Sequence, residues 1–407
     1  MRVCFVSRHF WPRVSGMSAY AENLVRQLAQ SGSEVTLVTQ HQGAPDGPPD
    51  PGRVPEGVEL VAVEASGERR VRHGEPADFE ADVETLTRTV VDLHERRPFD
   101  VLHAQFAYPT GLATLRAAHT VGRPAVVTVQ GVDGRELGSC CDTHRRLVRA
   151  VFDHASALVI GSPSFAAEVV ERHGVDPARF SLVPGATDPD RFAPRERADL
   201  ARLGDPVTLL FHGTVQASKG VLDLLDAVAL LRGDGVRVRL LVSGPGPDTR
   251  LLAERVRELG LADDVELLGA VDYGRAPELY RRGDVFVSPS YAEGFPITIL
   301  EAMASGLPVV STDVVGVRDC VRPEDNGVLV PRGDPFALAA GIRRLITDDV
   351  LRRRLAERAH SDVRLRWSWP VVAKQLTAIY GTVHAGVPEI PDPPVDGGCP
   401  FRRTGLP

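Results

Sequence analysis

The sequence predicts an α/β protein made of two doubly wound, Rossmann-like domains with parallel sheets. Short β-branched runs alternate with helical stretches along most of the chain, as a sheet joined by crossover helices requires. Periodicity breaks over Ser181–Pro206, where Pro184, Gly185, Asp188, Pro189, Asp190 and Pro194 cluster, and resumes at Val207. With 407 residues, 43% of them apolar, the chain is long enough for two cores.

Arg2 to Ser7 reads as a buried strand, followed by a loop with Trp11, Pro12 and Gly16. Ala21, Leu24, Val25 and Leu28 repeat at helical spacing, Ser31-Gly32 ends that helix, and Glu34 to Thr39 is the next strand. This βαβ unit implies a parallel sheet, whose ligands sit beyond the carboxyl ends of the strands, where Gly16 lies. Gly16 reads either as an amide offered to a phosphate or as a turn glycine needing positive φ. His41 to Glu56 and Ala65 to Phe79 read as loop excursions. Further strands are expected at Val58–Val63, Asp100–Ala104, Ala125–Val129 and Ala157–Ile160. His103, within the fourth strand, is either a core histidine or an acceptor contact. Gln130 and Asp133 follow the fifth strand, and Gln130 reads either as a ligand contact or as a glutamine satisfying a strand end.

In the second half, strands are expected at Val207–Phe211, Arg239–Ser243, Asp264–Val271, Asp284–Ser288, Pro308–Thr312 and Gly327–Val330. A helix carrying Leu338, Ile342 and Leu345 closes the domain, and Trp367 to Tyr380 forms a last helix. Gly213-Thr214-Val215-Gln216-Ala217-Ser218-Lys219-Gly220 is a phosphate-facing loop, in which Lys219 can set an ammonium against a diphosphate. Gly244-Pro245-Gly246-Pro247 is a turn that carries little functional information alone. The second half centres on Ser288 to Val310. There a strand runs into a loop with Glu293 and Gly294, Pro296 fits a first helical turn, and Glu301 lies on the second turn of the helix. Amides at that helix start suit phosphate or sugar oxygens, and the carboxylates can accept hydrogen bonds from vicinal hydroxyls. On spacing alone the two glutamates read rather as a capping residue and a solvated face than as ligand contacts.

The longer string resolves this. Glu293-Gly294-Phe295-Pro296, Glu301-Ala302-Met303-Ala304 and Gly306-Leu307-Pro308-Val309-Val310 together resemble the donor-site segment of the retaining family 4 glycosyltransferases, whose two glutamates also have seven residues between them. The resemblance implies the GT-B fold, two Rossmann-like domains facing each other across a cleft. It implies that Glu293 contacts the donor sugar, that amides around Phe295, Pro296 and Ile297 approach sugar and diphosphate, and that Glu301 grips the ribose. Lys219 would bind the diphosphate in the loop of Gly213 and Thr214. The family usually has arginine at Thr214 and histidine at Gln130; it also has a second histidine at Gln105. The Ser15–Tyr20 loop resembles the family's paired-glycine loop with its first glycine replaced, which places Gly16 on the donor phosphate. His103, Gln130 and Asp133 are expected on the acceptor or sugar side. The implied organisation is an acceptor-side domain over 1–186, a linker over 187–206 and a nucleotide-sugar domain over 207–365. A helix over 366–385 crosses back, and a disordered Pro/Gly-rich tail spans 386–407.

Bulk properties narrow the partners. A formal charge of -7 argues against nucleic acid, which requires a basic footprint, and against an anionic membrane surface. No run of about 18 apolar residues is available to span a bilayer, and Met1-Arg2 leads straight into a strand, so a cytoplasmic protein is expected. Cys4, Cys140, Cys141, Cys320 and Cys399 show no metal-ligand spacing and read as reduced thiols; no metal and no cofactor is expected.

The expected activity is therefore transfer of a sugar from a nucleoside-diphosphate sugar, the co-substrate, to a small soluble acceptor with retention of configuration. Specialised-metabolite or antibiotic biosynthesis, or low-molecular-weight thiol biosynthesis, is the expected setting. Lys219 and Glu293 are the catalytic candidates. A GT-B sugar-nucleotide epimerase and a non-catalytic sugar-nucleotide binder are the alternatives. Base, sugar, acceptor and oligomeric state stay open, a homodimer among the options.

Overall fold

The computed structural model describes residues 1–12, 15–41, 49–65, 70–71, 75–131, 133–194, 201 and 203–406. The chain divides into two compact units, Met1–Pro184 with Val372–Pro407, and Gly185–Val371.

The first unit is a seven-stranded parallel sheet. Its strands are β1 (Arg2–Ser7), β2 (Glu34–His41), β3 (Val58–Glu64), β4 (Val101–Gln105), β5 (Ala125–Val129), β6 (Ala157–Ile160) and β7 (Phe180–Leu182), in the spatial order β3-β2-β1-β4-β5-β6-β7. The direction of strand addition reverses between β1 and β4, which puts the topological switch point beside the carboxyl ends of these two strands. Helix α1 (Gly16–Gln30) follows β1 and buries Ala21, Leu24, Val25 and Leu28 completely. Helix α2 (Phe79–Arg96) precedes β4, with Asp78 accepting from the Ala81 amide at its start. Strand β7 lies in the segment read as the start of the linker; three residues are too few to show a period. Parts of both N-terminal excursions, 42–48, 66–69 and 72–74, lie outside the described residues.

The second unit is a six-stranded parallel sheet of β8 (Val207–His212), β9 (Val238–Ser243), β10 (Val265–Gly269), β11 (Val285–Ser288), β12 (Val309–Thr312) and β13 (Val328–Val330), ordered β10-β9-β8-β11-β12-β13. The near-continuous apolar strands have a direct cause. Alternation sends Leu209, Leu240, Val285, Val287 and Val310 into one core, while Leu210, Leu241, Phe286 and Val309 enter another. Both faces are covered, so no polar face is needed. The switch point here lies between β8 and β11, whose following loops carry Gly213–Gly220 and Pro289–Pro296.

Two boundaries differ from the expectation. Much of the supposed linker belongs to the second unit: Asp188 accepts from the Asp190 and Arg191 amides, and Phe192 is fully buried against Tyr280. Residues 195–200 and 202 lie outside the described residues. The chain from Gly386, expected to be disordered, packs on the first unit. Val387, Ile390, Cys399 and Leu406 are buried, and the Arg402 guanidinium is bonded to Glu80 and to the Ala77 carbonyl. Four apolar anchors and a buried arginine offset the composition that suggested disorder. Among the described residues no helix is long and apolar enough to cross a membrane.

Candidate functional site

Two loops at the switch point of the second unit are joined by glycines. Gly220 has φ +65°, and a Cβ there would lie 2.0 Å from the Pro289 carbonyl oxygen. Only a residue without a side chain lets these loops touch. The Tyr291 amide donates to the Ser218 carbonyl across the same seam.

That contact brings Lys219 and Glu293 together. The Lys219 ammonium donates to Glu293 Oε1 at 2.6 Å, and the Ser290 hydroxyl donates to the same oxygen at 2.7 Å. The side chains are 25% and 16% exposed, so the pair is reachable by a ligand and its contribution to stability is small. Helix α3 (Ile297–Ala304) begins directly after this loop, and no side chain caps it. The Ile299 amide already donates to the Pro296 carbonyl, and those of Ile297 and Thr298, with the positive end of the helix dipole, suit an anion. Pro296 sits at the cap position, one residue ahead of the helical turn expected for it. Gly294 and Phe295 lie in the same loop, and Phe295 packs edge-on to Trp367 and against Gly185.

Glu301 is on the second turn of that helix but has separate company. It is 3% exposed, and one oxygen accepts from the Tyr280 hydroxyl at 2.7 Å. Burial raises its carboxyl to about 7, against the pull of Tyr280, of the Arg191 charge and of Tyr273. The Arg191 guanidinium stacks 4.2 Å above the Tyr273 ring. Sequence reasoning missed Tyr273, Tyr280 and Arg191, because no local spacing links them to Glu301.

The phosphate-facing loop has its own support. The Gly213 amide donates to the Ser243 carbonyl, and the Val215 amide to the Pro245 carbonyl. A Cβ on Gly244 would lie 1.9 Å from the Gly213 oxygen, and one on Gly246 would lie 2.0 Å from the Val215 oxygen. Asp248 accepts from the Ala217 amide at 2.7 Å. The Gly-Pro-Gly-Pro turn is thus the bed on which the loop lies, which its composition alone did not reveal. Thr214 is exposed on this loop.

In the first unit the named residues divide. Gly16 is the first residue of α1, has no positive φ, and a Cβ there would meet nothing within 4 Å. The turn-glycine reading therefore fails, since the backbone does not require glycine there. Gln105, at the end of β4, accepts from the Ser7 hydroxyl at 2.7 Å and ties β4 to β1. His103 is wholly buried; its Nδ1 is 2.5 Å from the Tyr380 hydroxyl and its Nε2 is 2.7 Å from the Thr128 hydroxyl. Burial lowers its pKa to about 3. With both ring nitrogens in contact with hydroxyls, it has the surroundings of the core-histidine alternative. Asp133 is also fully buried, and its carboxylate accepts from the Gln130 amide at 3.0 Å. Burial raises it to about 7, opposed by the amides of Gln130, Ala107 and Tyr108 and by the Arg8 charge. Asp133 thus staples its own loop through one oxygen, while Gln130 is half-buried at the loop's edge.

Comparison with known proteins agrees with this geometry. The profile of the Glycosyl transferase 4-like domain matches residues 15–186, and that of Glycosyl transferases group 1 matches residues 192–362. A D-inositol 3-phosphate glycosyltransferase of Geodermatophilus obscurus is 31% identical over 394 residues, covering 90% of this chain and 84% of the relative. Among solved structures, a sucrose-phosphate synthase from Thermosynechococcus elongatus superposes with a TM-score of 0.77 at 24% identity, covering 93% of this chain and 98% of that one. The Anabaena protein HepE, solved in complex with UDP-glucose, gives 0.75 at 18% identity, covering 94% and 100%. Two parallel α/β units, each with a topological switch point, and these matches along both halves lead to one conclusion: the chain belongs to the family 4 glycosyltransferases and has their GT-B fold.

Proposed function

We propose that this glycosyltransferase takes its sugar from a nucleoside-diphosphate sugar and transfers it, with retention of anomeric configuration, to a small polyol acceptor. The observation that carries the reading is the Lys219–Glu293 pair at 2.6 Å, beside an uncapped helix start. A diphosphate arriving there competes for the ammonium, and Glu293, released from it, can accept hydrogen bonds from sugar hydroxyls. Lys219 and the amides of Ile297 and Thr298 then stabilise the negative charge that grows on the departing diphosphate. Glu301, with Tyr280 and Tyr273, supplies acceptor and donor groups for the ribose. A polyol acceptor is favoured by the relatives named as D-inositol 3-phosphate glycosyltransferases.

The test is an assay of UDP-, GDP- and dTDP-sugars with D-inositol 3-phosphate and related cyclitols, following diphosphate release and the product's anomeric configuration by NMR. Acceptor-dependent release giving the donor's own anomer is the expected result. Release of free sugar or an epimer from donor alone, or an inverted product, would overturn the proposal.

A further inference from the structure

The first unit holds a side-chain cluster that the transfer reaction does not use. Cys140 and Cys141 lie at the start of helix α4 (Asp142–His154), His144 is on its first turn, and Cys399 comes from the C-terminal segment. The three sulfurs and one imidazole nitrogen all lie within 4.8 Å of one another. Cys140 Sγ is 3.9 Å from Cys141 Sγ and 3.9 Å from Cys399 Sγ; His144 Nδ1 is 3.0 Å from Cys140 Sγ and 3.5 Å from Cys399 Sγ. His144 and Cys399 are buried, and none of the cysteines is in a disulfide.

We infer that Cys140, Cys141, His144 and Cys399 form a structural zinc site that fastens the C-terminal segment to the first unit. Zinc prefers a closed tetrahedron, and with Zn–S near 2.3 Å and Zn–N near 2.0 Å its S–S and S–N edges come to roughly 3.8 and 3.5 Å. The two S–S separations of 3.9 Å lie just above the first edge, and the S–N separations of 3.0 and 3.5 Å lie below and at the second. Three thiolates with one imidazole are a soft donor set that selects zinc over calcium or magnesium. A disulfide would use two of these sulfurs and leave the third a free thiol, whereas zinc uses all three. The local groups support the same reading. Cys141 Sγ accepts from the His144 amide at 3.4 Å, the kind of bond that steadies a ligating thiolate. On binding, each thiol gives its proton to solvent, while Nδ1 ligates through its lone pair with the ring proton on Nε2. The resulting single negative charge lies three residues from the buried guanidinium of Arg402.

The site closes a gap of more than two hundred and fifty residues along the chain, and neighbouring contacts run the same way. The Thr143 hydroxyl donates to the Pro394 carbonyl at 2.7 Å and accepts from the Asp396 amide at 2.7 Å. The spacing Cys-Cys-x-x-His did not suggest a metal from sequence, because the fourth ligand is remote and two ligands are adjacent.

The test uses the full chain, expressed with zinc and measured for metal after dialysis. Stoichiometric zinc is expected, retained in a Cys320→Ser control and lost in Cys399→Ser, with affinity falling by more than the roughly 10–100-fold typical of losing an outer-shell partner. Co²⁺ in place of zinc should show thiolate charge-transfer and tetrahedral d–d absorption. Because Cys399→Ser could act through packing alone, proteolysis of the unsubstituted protein supplies a second readout: a chelator should expose the chain beyond Gly386 to cleavage, and added Zn²⁺ should protect it again. Substoichiometric zinc after loading, a Cys140–Cys399 disulfide in the purified protein, or cleavage indifferent to chelator would each overturn the inference.

Discussion

In the second unit, residues named from the sequence converge on one place: Lys219 and Glu293 share a hydrogen bond, and the helix start carrying the Glu293 motif is uncapped. In the first unit, His103 and Asp133 turn inward and are fully buried, while Gly16 is exposed at the start of α1 and Gln130 is half-buried. Both sheets are parallel and both have a switch point, so topology does not cause the difference. What differs is the kind of evidence. A string with two glutamates, a glycine and a proline at fixed offsets specifies a loop with a function, whereas a lone histidine within a strand specifies only a polar group that must be satisfied.

The sharpest way to break this contrast is to remove charge in the second unit. Lys219→Ala and Glu293→Gln should each lower kcat by about 10²–10³-fold, as losing one group that stabilises transition-state charge does. Stability should change by less than about 1 kcal/mol, since both side chains are partly exposed. Steady-state kinetics beside thermal denaturation checks both parts; a large loss of Tm with kcat preserved would make the pair structural.

A smaller loss is expected from the bed beneath the phosphate loop. Gly246→Ala forces a Cβ to 2.0 Å from the Val215 oxygen, so the loop must shift. A displacement near an ångström at a positioning element costs up to about 10²-fold, and donor KM should rise as kcat falls. An unchanged KM would detach this turn from donor binding.

How much was legible follows from these cases. Strands β8 and β11 could be read because both of their faces are buried, which makes each a largely apolar run. The Glu293 loop could be read because its glycine, proline and glutamates are adjacent in sequence. The partners of Glu301 could not: Tyr280 lies 21 residues away and Arg191 precedes the whole domain core. The same holds for Cys399, and for the tail that carries it. Contacts closed by tertiary packing leave no periodic trace along the chain.

The first unit's side of the contrast is sharpened by His103→Leu. The substitution strips the Thr128 and Tyr380 hydroxyls of a partner inside the core, and about 1–3 kcal/mol of stability should go with it. Acceptor KM should move by less than about twofold, well under the 1.4 kcal/mol that a tenfold change represents. A raised acceptor KM with unaltered Tm would return His103 to the site.

A pH effect treats the two units alike. Glu301 and Asp133 are each held near 7 by burial, above ordinary values of 4.5 and 3.8. Below those ordinary values, folded and unfolded chains both carry the protons, and the contribution to stability is complete. As pH rises toward 7 the unfolded chain releases them while the folded chain keeps them, so stability falls across that window and levels off above it. Glu301→Gln and Asp133→Asn should each flatten the decline of Tm between about pH 4.5 and 7. Tyr280→Phe should act in the opposite sense, because the lost hydroxyl favoured the ionised carboxylate; Glu301 then titrates higher and the decline extends to higher pH. If Tm follows the same pH curve in Tyr280→Phe as in the unsubstituted protein, Glu301 does not titrate in the folded state as its burial requires.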